Sequence, residues 1–145
     1  MSWESARADA SAIRFRVFVG EQGVPQSIEL DEQDPHCVHA LAYYDNRETA
    51  DGRGTPGSVT AIGTGRLLPD AHIGRMAVLE QWRGRGVGSR ILESLIGKAR
   101  ERGDREILLA AQVHAMEFYR AHGFQPVGEV YEEAGIPHQN MRRPI

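Results

Sequence analysis

A loop rich in glycine and arginine, Arg83–Gly88, is the segment of the chain best suited to chemistry. It follows the apolar stretch Ile73–Leu79 and precedes a segment with helical periodicity. A glycine-rich turn before a helix leaves backbone N–H groups free and directs the positive end of the helix dipole outward, so an anion can approach closely. Arg83, Arg85 and Arg90 add positive charge, which suits a diphosphate better than a single carboxylate. The loop therefore predicts a site for a phosphorylated cofactor.

The spacing of the glycines excludes two common phosphate-binding loops. The dinucleotide pattern G-x-G-x-x-G fails because its sixth position falls on Ser89 when counted from Gly84, and on Ile91 when counted from Gly86. The P-loop pattern G-x-x-x-x-G-K-[ST] does not occur in the chain. The remaining pattern is R-x-x-G-x-G, and taken alone it also fits an ordinary surface helix start that is rich in glycine and arginine.

The elements that would position this loop form an α/β pattern. Apolar residues recur every four positions from Val87 to Ala99 and predict a helix over Gly86–Arg102, ended by Gly103. Loops are predicted over 20–35 and 45–57, and neither a repeat nor a linker interrupts 1–145, so we expect a single domain. Further helices are predicted over Ser5–Val19 and Val113–His122, and strands over His39–Tyr44, Val59–Leu68, Ile73–Val78, Glu106–Ala110, Phe124–Val130 and His138–Arg143.

Composition excludes several classes of protein. The chain of 145 residues is 41% hydrophobic and 26% charged, which is typical of a globular domain with a core. A net charge of −3 argues against wholesale nucleic-acid binding, and no apolar run reaches the roughly 20 residues of a membrane span. The lone Cys37 rules out an internal disulfide and fits a reducing compartment, so we expect a cytoplasmic protein. The run His36–His39 matches no common zinc spacing, and we expect no metal.

Seven further short motifs lie along the chain before and after this loop, and their order indicates a family. The chain closely resembles the ElaA-like (YjcF-like) branch of the GNAT N-acetyltransferase superfamily, whose diphosphate loop has the pattern R/Q-x-x-G-x-G/A. The resemblance extends from about Ile13 to the C-terminus. The motifs that carry it, besides the loop itself, are Val17–Pro25, Glu29–Asp34, Gly65–Leu67, Ile73–Val78, Ala111–His114, Phe118–Phe124 and Gly135–His138.

The resemblance implies a fold and a cofactor. The fold would be an α/β domain with a mixed, mostly antiparallel sheet flanked by helices, in which a splayed central pair of strands holds CoA. Acetyl-CoA would be the donor. The backbone of Met76, Ala77 and Val78 would hydrogen-bond its pantetheine arm, and Gln112 would also contact the cofactor. The diphosphate would lie on Arg83, Gly84, Arg85, Gly86, Val87, Gly88 and Ser89.

The same resemblance implies transfer of the acetyl group to a primary amine on a small molecule or peptide. An alkyl amine, with a pKa of about 10.4, must lose a proton before it attacks. Glu29 and Asp31 are candidate bases because the corresponding acidic loop lines the acceptor side in the family, and His138 is another because histidine titrates near neutral pH. Tyr119 matches the tyrosine that many family members place beside the CoA sulfur. Solvated loop acids remain the alternative for Glu29 and Asp31.

Several questions stay open at this level. The acidic run Glu29–Asp34 is either a solvated surface or a mouth that attracts a cationic amine. The domain is either an enzyme or a non-catalytic acyl-CoA-binding or sensing module, and a third alternative is a protein that binds another nucleotide by its phosphates. Family members usually begin with a strand, for which only Met1–Glu4 is left; the alternative is that a partner subunit covers the sheet edge. A homodimer is common among such domains.

Overall fold

The computed structural model describes residues 1–23, 34–45 and 59–145, apart from the side chains of Asp45 and Val59. The described helices are α1 (Trp3–Arg14), α2 (Val87–Arg102) and α3 (Met116–Ala121). A π-helix (Phe15–Glu21) continues α1, and 3-10 turns cover Asp34–His36, Glu80–Trp82 and Val113–Ala115. The strands are β1 (Val38–Asp45), β2 (Val59–Leu67), β3 (His72–Val78), β4 (Glu106–Gln112), β5 (Gln125–Glu133) and β6 (Ile136–Pro144).

The six strands form one sheet in the order β1-β2-β3-β4-β6-β5. Four of the five neighbouring pairs are antiparallel, and only β3 and β4 run parallel. Pairing between β3 and β4 is confined to His72 with Leu108 and Ile73 with Leu109, although both strands continue beyond these residues. The predicted mixed, mostly antiparallel sheet with a splayed central pair is therefore confirmed.

Helix α2 packs on one face of the sheet and forms the larger core. Its buried side chains are Ile91, Leu92, Leu95, Ile96 and Ala99, and they meet Ile107, Leu109, Phe124 and Met141. Gly86 at φ 82° and Gly103 at φ 93° bound the helix, a backbone conformation that costs glycine little. Gly63 and Gly65 in β2 let α2 approach closely, since a Cβ on Gly65 would lie 2.9 Å from Ile91. The predicted helix over Gly86–Arg102 is confirmed to within one residue.

Helix α1 and the π-helix cover the opposite face. Ile13 and Val17 pack with Ala77 at the end of β3 and with Leu79 just after it, and these four form a second, smaller core. The chain between Arg14 and Glu21 widens into a π-helix rather than continuing as an α-helix. A π-helical segment is rare and often marks a functional site, and this one places Val17, Phe18 and Gln22 against the region where β3 leaves β4.

A buried ion cluster ties α1 to β1 and β2. Asp34 is 1% exposed and accepts two hydrogen bonds from the guanidinium of Arg14, at 2.9 and 3.1 Å, and one from Arg66 at 2.8 Å. Nε2 of His39 donates a hydrogen bond to the Asp34 carbonyl at 2.9 Å, and the Trp3 ring lies against both Arg14 and His39. Burial raises the pKa of Asp34, but the hydrogen bonds and charges of Arg14 and Arg66 outweigh it and hold that pKa below its usual range.

The cluster corrects one expectation about the acidic run. Asp34 is neither a solvated side chain nor part of an open acidic mouth, because it lies between two arginines in the interior. Its partners are 20 and 32 residues away in sequence, so local charge patterning could not identify them. Glu29 and Asp31, the remaining acids proposed for the acceptor side, lie outside the described residues.

Other boundaries differ from those predicted. The first helix starts at Trp3 and not at Ser5, and the expected N-terminal strand is reduced, in the described chain, to Met1, which exchanges two backbone hydrogen bonds with His39. The helix predicted over Val113–His122 begins as a 3-10 turn, and α3 itself spans only Met116–Ala121. Strands β4, β5 and β6 extend further than predicted because sheet pairing, and not apolar content, sets their length.

Replacing the buried carboxylate should show how much this cluster contributes to the free energy of unfolding. Asp34→Asn is expected to lower the free energy of unfolding by about 3–5 kcal/mol, since it removes a buried carboxylate that Arg14 and Arg66 share. Because the folded-state pKa of Asp34 is lowered, the wild-type advantage should be complete above about pH 4 and disappear as the pH falls through that lowered value. Urea unfolding at several pH values measures this difference in the free energy of unfolding. The control is Glu101→Gln, which removes an exposed ion pair and should change the free energy of unfolding by less than about 0.5 kcal/mol. Equal losses in the two variants would contradict this account.

Two glycines should respond oppositely to the same substitution. Gly65→Ala is expected to destabilise the fold by about 1–3 kcal/mol, because its Cβ would lie 2.9 Å from Ile91 and 3.1 Å from Leu95. Gly97 lies within α2, where a Cβ would meet no atom within 4 Å apart from its chain neighbours and the nearby helix backbone. Gly97→Ala should therefore stabilise the fold by about 0.5–1 kcal/mol, because alanine is the better helix former. Thermal unfolding distinguishes the two. A similar effect from both would mean that α2 does not depend on close contact with β2.

Candidate active site

A cleft of about 610 Å³ opens where β3 and β4 separate. One wall is β3 from Ile73 to Val78, and the other is the end of β4 at Ala110 and Gln112. The π-helix closes it on one side, and the tip of the β5–β6 hairpin closes it on another. Beyond Ile73 the edge of β3 that faces β4 has no strand partner in the described sheet, so its backbone groups are available to an extended ligand.

The predicted pantetheine-binding residues lie on this wall. Met76, Ala77 and Val78 all line the cleft, and Ala77 and Val78 pair with β2 on their other side. A bulge just before them, with Arg75 at φ 49°, turns the strand away from regular pairing with β2. The carbonyl of Val78 accepts a hydrogen bond from Nε of Arg83 at 2.9 Å, so one backbone group of the wall already has a partner.

Arg83 therefore has contacts that its place in the motif did not predict. Besides the Val78 carbonyl, its guanidinium contacts Glu21 at the end of the π-helix, 2.9 Å away. Both side chains are about 40% exposed, which makes the ion pair individually weak. Arg83 links the π-helix to the end of β3 and lies at the rim of the cleft, where a bound anion would compete with Glu21 for it.

The start of α2 has the geometry of an anion cradle. Gly84 and Gly86 adopt φ angles of 74° and 82°, and no side chain of the described residues caps the helix. The N–H groups of 87–89 have no acceptor within the helix, because the carbonyls four residues earlier lie outside it. Arg85 stacks over Trp82 at 5.1 Å, and Gly88 faces the ring of Phe118 so closely that a Cβ would lie 3.4 Å from it.

Ser89, the last residue predicted for the cradle, belongs to a chain of side-chain hydrogen bonds. Its Oγ lies 2.9 Å from Nε2 of His122, and Nδ1 of the same ring lies 3.0 Å from Glu93. Glu93 is one helical turn after Ser89 in α2, whereas His122 directly follows α3. Sequence reasoning missed His122 and Glu93, since only the i, i+4 spacing of Ser89 and Glu93 could have indicated part of the group.

Tyr119 presents its phenol to the cleft from α3. The ring packs edge-on against Phe118 and Phe124, at centroid distances of 5.1 and 6.0 Å. Burial raises the pKa of Tyr119 to about 12, so the hydroxyl stays protonated at every physiological pH. The side chain is thus held rigidly as a hydrogen-bond donor.

His138 enters the cleft from β6 with its tautomer determined. Its Nδ1 lies 2.7 Å from the carbonyl of Ile136, and because a carbonyl only accepts, Nδ1 must carry the proton. In the neutral ring Nε2 is then a free acceptor. The ring stacks on Tyr131 at 6.0 Å, and its backbone pairs with Gln112 across the sheet.

Gln112 pairs across the cleft with Gln22, the residue that directly follows the π-helix. Its side-chain amide and that of Gln22 exchange two hydrogen bonds, at 2.8 and 3.2 Å. Gln22 was not among the predicted site residues, although it lies in the Val17–Pro25 motif that carries the family resemblance. His114, which ends the Ala111–His114 motif, also lines the cleft.

The cleft and the cradle thus divide the predicted residues into two groups. Met76, Ala77, Val78, Arg83, Gln112, Tyr119 and His138 line the cleft, whereas Gly84–Ser89 lie at or just before the start of α2. The described lining also carries more basic than acidic groups, with three arginines (Arg66, Arg75 and Arg83) against Asp70 and Glu133. An acid-lined acceptor side is therefore not a feature of the described part of the cleft.

Comparison with known proteins identifies the family. The family described as "Acetyltransferase (GNAT) domain" matches residues 14–144. The chain belongs to the GNAT acetyltransferase family. Membership makes it an acyl-CoA-dependent N-acetyltransferase. In Bacillus subtilis it is similar to YjcF, described as an uncharacterized N-acetyltransferase, with 33% identity over 97% of this chain and 94% of that protein.

Similarity to ElaA, in structure and in sequence, places the chain in the predicted branch. The crystal structure of ElaA from Escherichia coli superposes with a TM-score of 0.75 and 31% identity, covering 96% of this chain and 90% of that one. In sequence, ElaA is 34% identical over 92% of this chain and 84% of its own length. An acyl-CoA N-acyltransferase from Pseudomonas aeruginosa gives a TM-score of 0.75 and 31% identity, covering 94% and 89% of the two chains. The predicted ElaA-like (YjcF-like) branch is confirmed.

Neither a membrane-spanning helix nor a cluster of metal ligands occurs among the described residues. Within 1–23, 34–45 and 59–145 no helix is long and apolar enough to cross a membrane. Within the same ranges, no three His, Cys, Asp or Glu side chains come together as metal ligands.

Proposed function

We propose that this enzyme transfers the acetyl group of acetyl-CoA directly to a primary amine within a ternary complex. The observation that carries the proposal is that Tyr119 and His138 both line a cleft bounded by the unpaired edge of β3, one as a hydrogen-bond donor and the other as a proton acceptor. The acceptor is a small-molecule or peptide amine.

The donor would extend from the cradle into the cleft. Its diphosphate would lie on the free N–H groups at the start of α2, where Gly84 and Gly86 allow close approach. Its pantetheine arm would pair with Met76–Val78 as an added strand, which supplies main-chain hydrogen bonds without requiring particular side chains. The thioester would then reach Tyr119.

Direct transfer fits the side chains of the cleft. Its described lining contains no cysteine, serine, threonine or lysine, so it offers no thiol, aliphatic hydroxyl or amine to carry the acetyl group. Cys37 is buried and lies outside this lining. The amine would therefore attack the thioester carbonyl itself, and the enzyme contributes position and proton handling.

His138 is the base that the described residues support. An alkyl ammonium ion must lose a proton before attack, and Nε2 of the neutral ring is a free acceptor because Nδ1 is held by the Ile136 carbonyl. Glu29 and Asp31 remain the competing candidates from sequence. The first proton would pass from the ammonium ion to His138 directly or through one water molecule. The second proton, lost from nitrogen as the amide forms and the carbon–sulfur bond breaks, would go to the departing thiolate through solvent.

Tyr119 would stabilise the leaving thiolate. With a pKa of about 12, its phenol keeps its proton against a thiolate, since a thiol such as that of cysteine titrates at about 8.5. Tyr119 thus donates a hydrogen bond to the developing negative charge on sulfur and does not give the proton up. The fixed ring makes this contact without a reorganisation cost.

Calorimetric titration with acetyl-CoA, repeated in the presence of ATP, tests the donor assignment. Saturable one-to-one binding that ATP leaves unchanged supports it, and thiol release in a screen of amines then identifies acceptors. Binding without turnover for any amine would favour a non-catalytic acyl-CoA-binding module, and displacement by ATP would favour another nucleotide.

Removing the phenol should separate catalysis from binding. Tyr119→Phe is expected to lower kcat by about 10- to 100-fold, the worth of one hydrogen bond to a charged atom, with the Kd for acetyl-CoA nearly unchanged. Thiol release and calorimetry measure the two quantities. Tyr43→Phe is the matched control, because that hydroxyl bonds Asp9 at the far edge of the sheet. If Tyr119→Phe retained full kcat, Tyr119 would have only a packing role.

The pH profile should distinguish the candidate bases. In the wild type, kcat/KM should rise with pH, because the base must be deprotonated before it can accept the ammonium proton. His138→Gln is expected to lower kcat by at least about 100-fold and to remove this rise, since glutamine cannot accept the proton. A profile that survives His138→Gln but disappears in Glu29→Gln or Asp31→Asn would assign the base to the acidic loop.

A further inference from the structure

Three side chains beside the cradle form a continuous hydrogen-bonded series outside the cleft. Ser89 Oγ lies 2.9 Å from His122 Nε2, and His122 Nδ1 lies 3.0 Å from Glu93 Oε1. Arg143 of β6 approaches the same carboxylate oxygen at 3.8 Å and rests against Gly123. The series joins the first turn of α2 to the end of α3 and to β6.

The protonation state of His122 decides what Ser89 can offer an anion. In the neutral ring, Nδ1 carries the proton because its partner Glu93 only accepts, and Nε2 must then accept a hydrogen bond from the Ser89 hydroxyl. The single proton of Ser89 is thereby used internally. The Ser89 oxygen would then present only lone pairs to a phosphate oxygen, and the two oxygens would repel each other.

In the protonated ring the direction of that hydrogen bond reverses. Both ring nitrogens then donate, Nδ1 to Glu93 and Nε2 to the oxygen of Ser89. The Ser89 hydroxyl is now free to donate to a phosphate oxygen, next to the free N–H groups of the helix start.

We propose that His122 positions the Ser89 hydroxyl for the donor's diphosphate, so that binding of the CoA donor takes up a proton at His122 and strengthens as the pH falls. The inference rests on the proposed function, because it needs the diphosphate at the start of α2. It assigns His122 and Glu93 as positioning residues for donor binding.

The surroundings of His122 allow both charge states. Glu93 faces Nδ1 from α2 and favours the imidazolium, whereas Arg143 approaches from β6 and opposes it. The Phe118 ring lies 5.1 Å from the imidazole, and Arg120 pairs with Glu117 instead. The His122 side chain is 17% exposed, so protons can exchange with solvent.

A serine-histidine-carboxylate series can also activate a nucleophile. Here Ser89 lies outside the described lining of the cleft, in which the thioester would reside, and sits at the anion-binding helix start instead. Its place therefore favours hydrogen bonding to the diphosphate over acyl transfer.

Calorimetry of the full chain with dephospho-CoA tests the proposal directly. This ligand keeps the diphosphate but lacks the 3′-phosphate, whose own titration near neutral pH would obscure the measurement. Titrations at one pH in two phosphate-free buffers of different ionisation enthalpy give the number of protons taken up. We expect net proton uptake by the wild type and a several-fold lower Kd at about pH 6 than at about pH 8, within the limit of about tenfold per pH unit that one proton sets.

Two variants show whether the linkage runs through this series. His122→Gln should bind with a Kd that no longer depends on pH, because the amide can donate to Ser89 at any pH and cannot titrate. Ser89→Ala should also lose proton uptake, whereas a simple charge attraction between His122 and phosphate would preserve it. His36→Gln and Ser94→Ala, at exposed positions away from the cradle, are matched controls that should behave as wild type.

The outcomes separate this inference from the proposed function. Wild-type binding of dephospho-CoA without proton uptake, or uptake that survives in His122→Gln or Ser89→Ala, overturns the role of His122 and leaves the donor assignment intact. Failure of wild type to bind either CoA or dephospho-CoA at any pH overturns the donor assignment, and this inference with it.

Discussion

The early end of pairing between β3 and β4 is the constraint on which the rest of the structure depends. Two residue pairs hold these strands together, and beyond them the backbone of β3 is left open toward β4. An open edge inside a sheet is costly unless something else satisfies its polar groups. The cleft therefore exists only because other contacts hold the two halves of the sheet, and it is suited to a ligand that can pair with β3 as a strand does.

Different forces hold the two faces of the divided sheet. On one face α2 packs on residues from both halves, and Gly63 and Gly65 let it lie close to β2. On the other face the Asp34 cluster secures α1 to β1 and β2, and the paired amides of Gln22 and Gln112 join the π-helix to β4. The apolar face supplies burial, whereas the polar face supplies directional contacts that place the walls of the cleft.

The two ends of the site differ in their electrostatics: the start of α2 is positively charged, whereas the cleft holds two side chains with defined protonation. At the start of α2, uncapped N–H groups, Arg83 and Arg85 create a fixed positive field suited to a diphosphate. In the cleft, burial keeps the Tyr119 phenol protonated, and the Ile136 carbonyl holds His138 in one tautomer. The start of α2 thus presents free N–H groups and arginine charge, whereas in the cleft the surrounding structure determines which atoms of Tyr119 and His138 carry protons.

The sequence by itself determined the local features. Apolar periodicity and the glycines at its two ends predicted α2, and the motifs from Val17–Pro25 to Gly135–His138 indicated the family and with it the splayed sheet. Only the tertiary structure decided that Asp34 is a buried ion-pair partner and that Arg83 contacts Glu21. It alone brought Gln22 to Gln112 across 90 residues and Ser89 to His122 across 33. Periodicity, turn chemistry and capping act over a few residues and can be read from sequence, whereas the partner of a polar side chain depends on how distant segments pack.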